Sequence, residues 1–211
     1  MCIRDRGYRF GDHPGDCAGR AGSLEVGRVA GPANSSQRGR GGSQLGGELA
    51  LSLIHIYSAS AGKRADRSGP AVRERLEQLG WSVSVMEVVP DETAEISARL
   101  STLADGGQVS AIFTTGGTGL ARRDVTPEAT RAVVDREIPG FGEVMRARGR
   151  ESTPLAALSR SLAGTRGKVL IVNLPGSPKA AVESLDAIVE LVPHVLELLR
   201  GQTEHVSLQG N

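Results

Sequence analysis

Aromatic residues are scarce, at 3% of a 211-residue chain with one Trp, two Tyr and three Phe. That scarcity argues against the platform of stacked rings on which single-stranded nucleic acids are held. Cysteine is nearly absent: Cys2 and Cys17 stand apart with no CxxC spacing, so neither a disulfide framework nor a zinc knuckle is indicated, and a reducing compartment fits. The four histidines, His13, His55, His194 and His205, do not recur at metal-ligand spacing, and no Ser, His and acid grouping suggests a hydrolase triad. Net charge is also missing, since 25 Lys and Arg face 24 Asp and Glu, and +1 makes no field that would gather nucleic acid or an anionic membrane. No apolar run reaches the roughly 18 residues of a membrane span, and the first residues lack the apolar core of a secretory signal. These absences predict a soluble cytoplasmic protein with no nucleic-acid and no membrane partner, in which any anion site is local.

Glycine is what the chain has in excess. Twelve of the 28 glycines fall in the first fifty residues, beside seven Arg, in a stretch with neither a helical nor a strand period. Residues 1–48 therefore read as a disordered tail, because Arg38-Gly39-Arg40-Gly41-Gly42 and its like bury too little apolar surface to offset ordering entropy. Met1–Arg6 and Leu51–Tyr57 resemble translated sequencing-adapter fragments, which implies that part of residues 1–57 is foreign to the natural gene. A single domain is expected over residues 49–205, with residues 49–57 of doubtful origin and 206–211 a flexible end.

Beyond residue 58 the pattern becomes regular. Ser68 is placed to cap a helix carrying Val72, Leu76 and Leu79, and Gly80 to end it. Ser82 to Val89 is a β-branched run that reads as a strand, broken by Pro90-Asp91. Ile96, Leu100 and Leu103 mark a second helix, and Val109 to Thr115 a strand apolar enough to be covered on both faces. Thr126-Pro127 starts a helix, Lys168 to Leu174 forms a third strand, a helix follows with Ala181, Leu185, Ile188 and Val189 on one face, and Pro193 opens the last helix. Strands alternating with helices of about 11 to 14 residues predict an α/β fold with a parallel sheet covered on both faces. In such sheets ligands bind beyond the carboxyl ends of the strands.

Three strand-to-helix loops are therefore the places to look. Thr114-Thr115-Gly116-Gly117-Thr118-Gly119 could bring backbone N–H groups and hydroxyls to an anion, or be a tight turn that needs glycine. It is neither a Walker A loop nor the dinucleotide fingerprint. Asp124 could hold a magnesium ion against phosphate oxygens, or pair with Arg122 or Arg123. Asp91 could be a second such carboxylate, although capping the following helix is the favoured local reading. In Leu174-Pro175-Gly176-Ser177-Pro178-Lys179 a cation in the first helical turn opposes the helix dipole, which an anionic ligand would explain as well as simple solvation does. Ser159 and Arg160 are further polar candidates, or strand-edge residues.

Taken together, Thr114–Gly119, Arg123-Asp124-Val125-Thr126-Pro127-Glu128-Ala129-Thr130, Pro139-Gly140-Phe141-Gly142-Glu143-Val144-Met145-Arg146, Leu158-Ser159-Arg160 and Asn173–Lys179 resemble the MoaB/Mog family of molybdenum-cofactor biosynthesis proteins. The resemblance runs from about Ser58 to Gly201 and leans toward the adenylyltransferase branch. It implies a three-layer α/β/α sandwich with a mostly parallel sheet, usually trimeric, that takes molybdopterin and ATP with Mg2+ and joins AMP to the pterin phosphate. It implies that Asp91 and Asp124 are catalytic and hold the Mg2+. It further implies that Thr114, Thr115, Gly116, Gly117, Thr118, Gly119, Glu143, Ser159, Arg160, Pro175, Gly176, Ser177 and Lys179 bind substrate or nucleotide, with the molybdenum insertase of the pathway as a partner. One departure stands out: Tyr57 occupies the place of an aspartate that normally ends the family's first strand. The alternatives are a MoaB-like pterin-binding protein without turnover and a non-enzymatic oligomeric scaffold.

Overall fold

The computed structural model describes residues 50–57 and 66–202. The tail expected at 1–48, the flexible end expected at 206–211 and the segment Ser58–Gly62 lie outside the described residues.

Six strands form one sheet: β1 (Ala50–Tyr57), β2 (Ser82–Pro90), β3 (Ala111–Thr115), β4 (Arg136–Glu137), β5 (Ala163–Arg166) and β6 (Val169–Leu174), in the order β2-β1-β3-β6-β5-β4. The strands β2, β1, β3 and β6 run parallel, whereas β5 returns antiparallel to β6 and carries the two-residue β4 on its far edge. The sheet is thus mostly parallel. The β5–β6 turn depends on Gly167, whose φ of +54° lies in the left-handed region.

Strand periodicity assigns the two faces. Ala111 and Phe113 of β3, with Leu170, Val172 and Leu174 of β6, point to one side. There they meet helices α1 (Ser68–Gln78), α4 (Pro139–Ser152), α5 (Pro178–Ile188) and α6 (Val192–Leu199). Ile112, Val169 and Ile171 point to the other side, against α2 (Thr93–Asp105) and α3 (Thr126–Arg131). Two apolar layers on one sheet make the expected three-layer sandwich. Phe113 is fully buried, and its truncation to Ala would cost about 3–5 kcal/mol.

Local details depart from the sequence reading in three places. Ser68 is the first helical residue of α1 and not its cap; the Asp66 carboxylate instead accepts the N–H groups of Ser68 and Gly69 at 3.0 and 2.9 Å. Leu79 falls outside the buried stripe of Val72 and Leu76 and is 36% exposed. The second strand runs through Pro90, which is tolerated because β2 is an edge strand with one unpaired side.

Candidate active site at the carboxyl edge of the sheet

The register of the parallel strands aligns their ends. Tyr57 sits opposite Pro90, His55 opposite Thr115 and Thr115 opposite Leu174. The loops that leave β2, β3 and β6 therefore emerge side by side.

The glycine loop after β3 is held from both flanks. Gly116 donates its N–H to the Leu174 carbonyl at 3.1 Å, and Gly117 accepts the Thr126 N–H at 3.2 Å. Both glycines have positive φ, +97° and +64°. A Cβ on Gly117 would lie 2.1 Å from the Thr126 hydroxyl oxygen and 3.4 Å from Asp91 Oδ1; one on Gly176 would lie 3.2 Å from the Gly116 Cα. The chain reverses here only because side chains are missing.

Asp91 and Asp124 flank this loop. Asp91 does not cap α2, whose N-cap is Glu92. Its Oδ1 is buried with no hydrogen-bond partner among the described residues. Burial pushes the Asp91 carboxyl above its usual range, the Asp124 charge adds to this, Arg123 opposes it and Glu92 adds a little more. Asp124 turns back on its own loop, its Oδ2 accepting the Ala121 N–H at 2.8 Å and standing 2.7 Å from where a Gly119 Cβ would be.

Beside the loop opens a largely apolar cavity of about 510 Å³. Of the residues expected in the site, Gly117, Thr118, Gly119, Asp124, Ser159, Pro175 and Gly176 line it. Others are placed elsewhere. Thr114 and Thr115 are fully buried at the end of β3, where the Thr114 hydroxyl accepts the Asn173 amide at 3.0 Å and the Thr115 hydroxyl meets that of Ser68 at 3.4 Å. Glu143 lines a separate cavity of about 270 Å³ with Arg146, Arg150 and Ala157. Ser177 caps α5 by accepting the Ala180 N–H at 3.2 Å. Lys179 extends into solvent, its side chain 79% exposed and 3.7 Å from the Glu183 carboxylate. Ser159 and Arg160 are not strand-edge residues: they join a 3-10 turn, Pro154–Leu158, to β5. Arg160 is bound to protein carbonyls and Glu128.

The cavity's other walls are not among the expected site residues, although Met145, Arg146 and Leu158 stand in the motifs that carry the resemblance. Met145, Arg146 and Gly149 come from α4, Leu155, Ala156 and Leu158 from the 3-10 turn, and Ala180, Glu183 and Ser184 from α5. The last three fall at i, i+3 and i+4, so one helical stripe beginning just after the Pro175-Gly176-Ser177 turn would have found them.

Among the described residues no group of three or more His, Cys, Asp or Glu gathers at metal-binding distance. Two carboxylates, one with an unsatisfied buried oxygen, fit magnesium best, because that ion takes few protein ligands and fills its shell with water and phosphate oxygens.

A parallel sheet whose carboxyl edge carries a glycine loop between two carboxylates defines a three-layer α/β ligand-binding domain. The chain belongs to the family described as "Probable molybdopterin binding domain", whose model matches residues 45–194. It is 41% identical over 165 residues to the molybdopterin adenylyltransferase of Helicobacter pylori, covering 74% of this chain and 94% of that one. It is 40% identical over 168 residues to the enzyme of the same name from Escherichia coli K12, covering 72% and 86%. Among solved structures, MoaB of Thermus thermophilus superposes with a TM-score of 0.67 at 47% identity, covering 72% of this chain and 97% of that one. The Mog protein of Mycobacterium ulcerans gives 0.67 at 37%, covering 74% and 99%.

Proposed function

We propose that this protein is a molybdopterin adenylyltransferase of molybdenum-cofactor biosynthesis, with ATP and molybdopterin as substrates. An oxygen of the molybdopterin phosphate attacks the α-phosphorus of ATP, the bond from that phosphorus to the bridging oxygen breaks, and pyrophosphate leaves with the electron pair. The observation that carries this reading is the pair of carboxylates at the glycine loop, Asp91 beside Gly117 and Asp124 beside Gly119, of which Asp124 lines a cavity of about 510 Å³. Such chemistry asks a protein for positioning and charge neutralisation more than for covalent participation.

Asp91 and Asp124 would hold Mg2+, which when bound neutralises charge on the phosphate oxygens. Free N–H groups of the glycine loop donate to those oxygens, and Lys179 at the start of α5 adds a mobile positive charge. The apolar part of the wall, Met145 of α4, Leu155, Ala156 and Leu158 of the 3-10 turn and Ala180 of α5, would exclude water from the reacting phosphates and accept a flat ring system. Thr114 and Thr115 support the loop from beneath. The same reading includes a homotrimer, a cytoplasmic location and hand-over of the product to the pathway's molybdenum insertase.

The test is pyrophosphate release from ATP with molybdopterin, comparing wild type with Asp124→Ala. Release that depends on Asp124 supports the transferase. A second reading, pterin binding without turnover, is favoured by Tyr57, whose backbone pairs with Pro90 immediately before Asp91. Pterin binding with no ATP-dependent release would support it, and binding of neither ligand an oligomeric scaffold. Leu51–Tyr57 is read as foreign to the natural gene; a genomic locus encoding Leu-Ser-Leu-Ile-His-Ile-Tyr in an intact transcript would overturn that reading.

A further inference from the structure

Arg160 was expected to bind substrate, yet the structure gives its guanidinium to the protein. Its backbone N–H donates to the Thr118 carbonyl at 2.9 Å. Its Nε donates to the Gly119 carbonyl at 2.7 Å, its Nη2 to the Asp124 carbonyl, and its Nη1 to the Glu128 carboxylate at the start of α3. One residue thus holds three points of the connection between β3 and α3. That connection needs holding: residues 116–125 contain three glycines, two of them at positive φ, and no regular element. Ordering such a stretch costs roughly 1–2 kcal/mol per residue in backbone entropy.

The two carbonyls that the Arg160 guanidinium binds on this loop belong to Gly119 and Asp124, the same two residues whose Cα and carboxylate pack against one another. Fixing those carbonyls fixes the direction in which the Asp124 side chain leaves the chain. A planar fork can serve three acceptors in different directions; a lysine ammonium at the end of a flexible stem cannot do so in the same geometry. Nε, Nη1 and Nη2 are each engaged, so three of the five guanidinium N–H donors are already committed to the protein, and the side chain is only 29% exposed.

We propose that Arg160 is a positioning residue: it clamps the Gly119 and Asp124 carbonyls so that the Asp124 carboxylate is held across the glycine loop from Asp91, and it does not bind substrate phosphate. The kinetic part of its test rests on the adenylyltransferase reading; the exchange part does not.

The experiment compares the full chain with Arg160→Lys and Arg160→Ala in two measurements. In amide hydrogen exchange, residues 117–126 of both variants are expected to exchange about tenfold faster or more, with β3 and β6 unchanged. In steady-state kinetics kcat is expected to fall about 10- to 100-fold, with the KM for ATP moving less than about threefold and lysine failing to rescue. Unchanged exchange across 117–126 overturns the proposal, and so does a tenfold or greater rise in the KM for ATP with kcat retained, which is the behaviour of a phosphate ligand. If Arg160→Ala does not fold, Arg160→Lys alone decides both measurements. A wild type that releases no pyrophosphate would sink the transferase reading and leave the exchange result to judge the clamp.

Discussion

Gly119 backs directly onto Asp124: a Cβ at residue 119 would stand 2.7 Å from the Asp124 Oδ2, closer than unbonded atoms approach. A methyl there must push the carboxylate away or break its bond to the Ala121 N–H. Gly119 has no positive φ, so Gly119→Ala strains a side chain and not the backbone. Its expected signature is a loss of about tenfold or more in kcat/KM with less than about 1.5 kcal/mol of stability lost. Gly117→Ala should be worse in both respects, because a Cβ there meets the Thr126 hydroxyl at 2.1 Å on a backbone at φ +64°. Pyrophosphate release and urea titration of the two variants check the order; equal activity losses would refute it.

Asp91 gives a prediction of opposite sign for stability and activity. Its carboxyl is pushed up chiefly by burial and secondly by Asp124, so the folded protein holds that proton more tightly than the unfolded chain. This group's contribution to stability is therefore greatest in acid and falls as pH rises from the ordinary carboxylate range through the raised value. Asp91→Asn removes the buried charge. In metal-free buffer at pH 7 its Tm should rise by about 1–3 °C, with the gain shrinking toward pH 4, while turnover is lost. A lower Tm at pH 7, measured by calorimetry, would contradict the charge argument.

How much of this was legible in the sequence depends on how long a pattern each element repeats. Val109–Thr115 and Lys168–Leu174 were readable because the short apolar runs Ala111–Phe113 and Val169–Val172, rich in β-branched residues and bounded by glycine and proline turns, fit a strand covered on both sides. The helix α4 carries a motif but no sequence sign of a cavity wall, since Phe141 and Met145 are its only apolar residues in the core and three glycines and three arginines interrupt the rest. Two- and four-residue strands such as β4 and β5 carry no period at all. In the site, Thr114 and Thr115 belong both to the predicted strand Val109–Thr115 and to the loop motif Thr114–Gly119, and sequence does not say which role the hydroxyls take. Register with Asn173 and Leu174 puts both inside the sheet. Asp91 and Asp124 were found through motif resemblance; the residues themselves favoured a helix cap for Asp91 and left a surface ion pair open for Asp124, whereas Glu92 occupies the N-cap position and the Asp124 carboxylate accepts the Ala121 N–H.

A prediction for Thr114 follows from its place in the sheet. Its hydroxyl accepts from the Asn173 side-chain amide, which also donates to the Thr130 hydroxyl at 3.0 Å, so three buried polar groups tie β3, β6 and α3 together. Thr114→Val keeps the shape and strands one amide hydrogen. Stability should fall by about 1–3 kcal/mol in urea titration. The KM for ATP should stay within about twofold, whereas a direct phosphate donor would raise it several-fold.

Lys179 stands at the other extreme of burial, and its effect should be electrostatic and salt-sensitive. It sits in the first turn of α5, where its charge opposes the helix dipole, and its long 3.7 Å contact with Glu183 leaves its side chain 79% exposed and contributes little to folding. Lys179→Ala should therefore leave Tm unchanged or slightly raised. If the ammonium meets the ATP phosphates, the dissociation constant for ATP rises about five- to tenfold at low ionic strength. The difference between variant and wild type then shrinks as salt approaches 1 M, where the screening length falls to about 3 Å. Calorimetric titration of ATP at two salt concentrations separates the cases: a salt-independent loss would point to a packing role, and no loss would remove Lys179 from the site.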